Sequence, residues 1–340
     1  MTLPQRVGQL FLLGLADDRL GSAEIEAIRT RHLGSVWFVE QSSGGVSAIR
    51  AIADAVQALV APDTTANVRF FVAANQEGGI IQSLRGPGFS TIPTAVDQGA
   101  LSPATLRDAA ARWGRELVAA GVNLNFAPVL DVVPPGTDAR NEPIGVLRRE
   151  YGHDPDTVST HAIAFLRGMQ DAGVATTAKH FPGLGRVTGN TDVTAAVVDD
   201  ATTTADALLA PFRDAVSAGV PFVMVALATY TKIDPQRLAV FSPLVVRNLL
   251  RESLGFDGAI MSDDLGATAA VANVPPADRA IEFLSAGGDV IISKTVAPAL
   301  AMADAVVAKA QSDAAFRARV DDAALRVLRA KQASGLLRCA

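Results

Sequence analysis

Eight short apolar runs, each followed by a stretch with helical periodicity, constrain this chain more than any other feature. The runs lie at 10–15, 35–40, 69–75, 124–132, 174–181, 222–230, 258–263 and 289–294. The helical stretches lie at 23–30, 46–60, 103–120, 155–172, 204–218, 243–254, 276–286 and 298–311. Runs that are apolar throughout read as strands buried on both faces, the habit of parallel sheets covered by helices. The punctuation agrees. Ser102-Pro103 and Asp154-Pro155 place a cap before a proline, while Gly121, Gly173, Gly219 and Gly255 close the stretches before them, as helix ends require. Eight β-then-α units without a linker or a shift in composition predict an α/β protein, a single (β/α)8 barrel of the TIM type over residues 1–340. An extra C-terminal helix at 316–334 is expected to pack across the strands' N-terminal ends. At 340 residues and 49% hydrophobic, the chain can fill one such core.

Charge and composition exclude several function classes. The net charge is −5, the pI is near 5.4, and Lys and Arg are scattered, so no nucleic-acid partner is expected. The single cysteine, Cys339, rules out an intrachain disulfide and a Cys-based metal cage. Of the four histidines, His32, His153 and His161 fall on or beside predicted helices and only His180 falls at a strand end; no metal is expected. No cofactor is expected either, since the chain has no phosphate-cradling P-loop, and it has no Gly-x-Ser-x-Gly elbow. No apolar run approaches the roughly 18 residues of a membrane span. Residues 10–15 fit a first buried strand better than a signal segment. A soluble, cytoplasmic monomer is the expectation, with the cell envelope or secretion as the alternative if a signal was removed.

In such a barrel, function gathers on the loops after the strands' C-terminal ends. The third run ends in Asn75-Gln76-Glu77-Gly78-Gly79. The fourth ends at Asp131, before a long loop with Asn141, Glu142 and Arg149. The fifth leads through Lys179-His180-Phe181-Pro182-Gly183-Leu184-Gly185-Arg186 to Asn190 and Asp192, and the seventh ends in Asp263-Asp264. Two adjacent carboxylates at the end of a buried strand are costly unless paired or used. They read either as catalytic groups or, for Asp264, as the cap of the next segment. Lys179 and His180 supply donors for hydroxyls, and the glycines after them let backbone approach a ligand. A Schiff-base lysine, or a cation held by Asp263, Asp264 and His180, are other chemistries open to this rim. Arg149 alone reads as a surface arginine paired with Glu150 or Asp154.

At these residues the chain resembles, over nearly its whole length, the glycoside hydrolase family 3 β-N-acetylglucosaminidases of bacteria, which trim GlcNAc from muropeptides. Lys179-His180-Phe181-Pro182-Gly183 is the most specific match. Asn125-Phe126-Ala127-Pro128-Val129-Leu130-Asp131 and Ser262-Asp263-Asp264-Leu265 match further motifs, and Arg149-Glu150-Tyr151-Gly152 matches more loosely. The resemblance implies Asp263 as nucleophile and Asn75, Arg149, Lys179 and His180 as ligands of the sugar. Two positions depart from the family pattern. Asn75 stands where the family has Asp, and Asn190-Thr191-Asp192 stands where it has Asp-Ser-His, whose His is the acid/base. Asp192 occupies the histidine's place, as in actinobacterial members, and is the candidate acid/base here, with Glu142 next. A retaining pair sits about 5–5.5 Å apart, so a mobile loop is expected to carry Asp192 to Asp263. The activity implied is a retaining exo-β-N-acetylglucosaminidase; a sugar-binding protein, a phosphorylase or a β-glucosidase are the alternatives.

Overall fold

A computed structural model describes residues 1–337; Cys339 lies outside them. Eight parallel strands close a barrel: β1 (Phe11–Leu15), β2 (Ser35–Phe38), β3 (Phe71–Ala74), β4 (Leu124–Asn125), β5 (Ala175–Phe181), β6 (Phe222–Val225), β7 (Ala259–Asp264) and β8 (Val290–Ser293). Each pairs with its sequence neighbours, and β8 returns to β1 through Phe11 opposite Ile291. All eight carry almost unbroken burial, because the outer helices cover one face and barrel side chains the other.

Two strands are shorter than the apolar runs suggest. The fourth run pairs only over Leu124–Asn125, since Pro128 has no N–H to give the ladder; Val129 bridges to Lys179 beyond it. The sixth run leaves the barrel at Val225, and Thr229–Tyr230 pairs instead with Val198–Asp199 above the rim. The helix predicted at 204–218 begins as a 3-10 turn, capped by the Asp206 side chain, and is α-helical only over Ala210–Ser217. Leu244–Ser253 is wound as a π-helix, with Val245, Val246, Leu249 and Leu250 still turned to the core.

The helix Ala314–Ala333 crosses the strands' N-terminal ends, as the sequence predicts. Its Arg319, with Arg251, pins Asp289 just before β8, at 2.5 and 2.7 Å. Its Lys331 is fully buried and donates to Gln9 Oε1 and to the Gly34 carbonyl, both at 2.7 Å, 5.8 Å from the Phe71 ring centre. No carboxylate is among these contacts, and burial pushes the Lys331 ammonium down to about 7. An unfolded lysine titrates near 10.4. Between those values the unfolded chain holds the extra proton, so stability rises with pH across that window. Wild type should therefore gain on Lys331→Met from about pH 7 to pH 10, by up to a few kcal/mol. Urea midpoints that stay parallel over that range would mean that the folded protein keeps this lysine charged.

Candidate active site

Glu77 is the hub of the barrel's C-terminal rim. Its turn is tight enough to need glycine, since Gly78 has φ 122° and a Cβ there would lie 2.1 Å from the Pro93 carbonyl oxygen. The carboxylate is 5% exposed and meets two cations. Arg149 grips it with Nε and Nη2, both at 2.8 Å, and Lys179 Nζ lies 2.5 Å from Oε1. Burial alone would raise the Glu77 pKa, but Arg149 and Lys179 outweigh it and hold the group at about 2. Burial lowers the Lys179 pKa despite Glu77. Lys179 also donates to Asn75 Oδ1 at 2.9 Å.

Arg149 is therefore not the surface arginine its neighbours suggested. Its partner stands 72 residues away, and neither Glu150 nor Asp154 takes it. Glu77→Gln should cost about 3–5 kcal/mol of stability, because two buried cations would lose their shared counter-charge. Glu77 has a depressed folded pKa, so its contribution is complete above about pH 4.5 and fades as pH falls towards about 2. Urea unfolding at pH 7 and pH 3 would test both statements; a loss under about 1 kcal/mol at pH 7 would mean that the two cations re-pair elsewhere.

His180 is set by Asp131, which is wholly buried. Asp131 Oδ2 meets the ring Nδ1 at 2.7 Å, and Oδ1 accepts from the His180 and Leu184 N–H groups. The other ring nitrogen faces Arg149 Nη2 at 3.4 Å. A guanidinium can only donate, so Nε2 is the nitrogen that accepts from it whenever the ring is neutral, with Nδ1–H turned to Asp131. The glycines that follow serve the backbone more than a ligand. Gly183 has φ 134°, and a Cβ on Gly185 would lie 1.9 Å from the Val132 carbonyl oxygen.

The two carboxylates ending β7 part company. Asp264 accepts from the N–H groups of Gly266, Ala267 and Lys294, at 2.7–3.0 Å, so capping belongs to Asp264. Asp263 accepts only from the Asp264 N–H, at 2.8 Å, and its side chain lines the pocket. Asp192 lines the same pocket from the loop after β5. That loop is already seated, since its Thr191 and Asp192 carbonyls accept from Ala270 and Ala269 in the loop after β7. The structure thus places Asp192 on the same pocket as Asp263. Asp192 remains open to solvent on one side. Dehydration in the pocket, then the charge of Asp263, raises its pKa, against the pull of Arg149, His180 and Lys179. Glu142 accepts from the Asn190 N–H at 3.2 Å and supports the loop from outside the pocket.

All six residues singled out from the sequence, Asn75, Arg149, Lys179, His180, Asp192 and Asp263, line one cavity of about 520 Å³. Glu77 and Asp131, which orient them, were visible only as polar residues at strand ends. Trp37 is a further addition. It lies within the apolar β2, reads as core, and lines the same cavity with its indole N–H buried and, among the described residues, unpartnered. No Asp263, Asp264 and His180 cation cluster forms; among the described residues, the grouping with ligand spacing is Asp138, Glu150 and His153, outside the pocket. The arrangement suits a neutral, hydroxyl-rich ligand, held by charged donors between two opposed carboxylates.

Residues 2–330 match the family model for the glycosyl hydrolase family 3 N terminal domain. A β-hexosaminidase of Stenotrophomonas maltophilia (strain K279a) is 36% identical over 229 residues, a match covering 65% of this chain and 66%, just under two thirds, of that protein. A β-hexosaminidase of Alkalilimnicola ehrlichii is 32% identical over 289 residues, covering 83% of this chain and 79% of that one. The crystal structure of a β-N-acetylhexosaminidase from Beutenbergia cavernae superposes with a TM-score of 0.95 at 50% identity, over 98% of this chain and 99% of that one.

Proposed function

We propose that this chain, which belongs to glycosyl hydrolase family 3 and so is a glycoside hydrolase, is a retaining exo-β-N-acetylglucosaminidase. Its substrates are glycosides with a terminal GlcNAc, of which cell-wall-derived muropeptides are the natural class. Asp263 attacks the anomeric carbon while Asp192 protonates the departing glycosidic oxygen, leaving the sugar esterified to Asp263. Asp192, now a carboxylate, takes a proton from water, which attacks the same carbon and releases Asp263 with net retention. Arg149, Lys179, His180 and Asn75 bind the sugar hydroxyls. Residues 1–340 act as one catalytic barrel and as a monomer, in the cytoplasm.

One contrast carries this reading. Asp264 spends its oxygens on three backbone N–H groups, whereas Asp263 keeps an oxygen free and faces a second carboxyl whose pKa is raised. A protein that only bound sugar would gain nothing from a free carboxylate on this rim beside a second one whose pKa is raised. The test is release of p-nitrophenol from the β-GlcNAc and β-glucose aryl glycosides, with and without phosphate. Preference for β-GlcNAc, unchanged by phosphate, is expected. Preference for glucose would make the chain a β-glucosidase, phosphate dependence a phosphorylase, and silence on both substrates a binding protein.

A further inference from the structure

The loop after β4 closes on a second cluster that the proposed chemistry does not use. One ligand atom each from Asp138, Glu150 and His153 lies within 4.8 Å of the others. Asp138 stands in the middle of this loop, and Glu150 and His153 stand at its end. His153 Nδ1 is 3.6 Å from Asp138 Oδ1, and it donates to the Val133 carbonyl oxygen at 3.0 Å, which leaves Nε2 as the nitrogen that can bind an ion. Ligands each about 2.1 Å from one ion lie at most about 4.2 Å apart, so three groups already within 4.8 Å need only a small inward shift. Glu150 is the informative member. It is 2% exposed, its Oε2 has no hydrogen-bond partner, and no arginine or lysine pairs with it. The arginines before it are engaged elsewhere, Arg149 on Glu77 and Arg148 on Asp97. A buried carboxylate facing a second carboxylate and an imidazole lacks only a positive charge.

We propose that Asp138, Glu150 and His153 bind one first-row divalent cation of the Zn2+ class. One imidazole with two carboxylates is a zinc-type donor set, whereas calcium sites are built from oxygen. His153 is exposed and Asp138 half-buried, so the site opens to solvent and the ion keeps a water ligand. The ion would clip the middle of the loop to its end, one residue from Arg149. Its role is therefore to hold Arg149 on Glu77, not to take part in bond cleavage.

Calorimetric titration of EDTA-stripped protein with ZnCl2 tests this, followed by Co2+ to read the ligand field by visible absorption. Wild type should bind one equivalent, with a rise in melting temperature. Glu150→Gln and His153→Ala should each weaken binding at least about tenfold and abolish the thermal response. His153 is exposed, so its variant tests the site even if Glu150→Gln folds poorly. Absence of binding by folded wild type would overturn the proposal, as would one equivalent held equally well by both variants. The first outcome would leave a shared proton between the two carboxylates; the second would put the ion elsewhere.

Discussion

Asp263→Asn should lower turnover of β-GlcNAc glycosides by about a thousandfold or more, a barrier increase of at least ~4 kcal/mol. An amide cannot form the glycosyl ester, and nothing beside it can take over. Asp264 is the nearest carboxylate, but its oxygens are bound to the Gly266, Ala267 and Lys294 N–H groups. Using it as a nucleophile would break the turn that ends β7. The variant should fold and bind GlcNAc as wild type does, since the contacts of Arg149 and Lys179 with Glu77 do not pass through Asp263. One further effect separates a lost nucleophile from general damage. The charge of Asp263 helps to raise the Asp192 pKa, so the substitution should lower that pKa and move the basic limb of any residual activity to lower pH. Activity within about tenfold of wild type, a change near 1.4 kcal/mol, would remove Asp263 from the mechanism.

Asp192→Asn should divide substrates by leaving group. A sugar hydroxyl needs a proton as the bond breaks, whereas p-nitrophenolate leaves almost unaided. Hydrolysis of a GlcNAc disaccharide should therefore fall by about 10²–10⁴, far more than the first cleavage of the p-nitrophenyl glycoside. In the second step the variant has no base for water, so glycosyl-enzyme should accumulate and p-nitrophenol should appear as a burst. Azide needs no deprotonation, and it should restore turnover and yield the β-glycosyl azide. The basic limb of the kcat/KM profile should also disappear, because it reports the protonated Asp192. Equal losses on both substrates, with no azide rescue, would exclude Asp192. Glu142 is a weak replacement, since it holds the Asn190 N–H from outside the pocket.

The barrel was legible because its signal is periodic and repeated. Any one apolar run could be a strand or a buried helical segment, but eight of them alternating with capped amphipathic stretches leave few architectures. The run 222–230 shows the limit of that reading, since hydropathy cannot mark where the chain leaves the barrel after Val225 for a small parallel pair on the rim. The site was legible as a place for a related reason. In a (β/α)8 barrel every strand's C-terminal end faces the same mouth, so Asn75, Lys179 and Asp263 were bound to meet once the strands were counted.

What each residue does there depends on partners that sequence distance hides. Asp263 and Asp264 are the same residue type on one strand, yet one is free and the other is tied to three N–H groups, including that of Lys294, 30 residues away. Arg149 reads as a surface residue until the fold presents Glu77 to it, and Glu77 reads as part of a loop until two cations arrive. The sequence by itself determined the eight strands, the face on which function collects, and six of the side chains that line it. Only the tertiary structure decided which carboxylate is free, which is a clamp and which has its pKa raised. The physical reason is that a carboxyl's chemistry follows from its hydration and from the charges and donors within a few ångströms, and closing the barrel is what sets those neighbours.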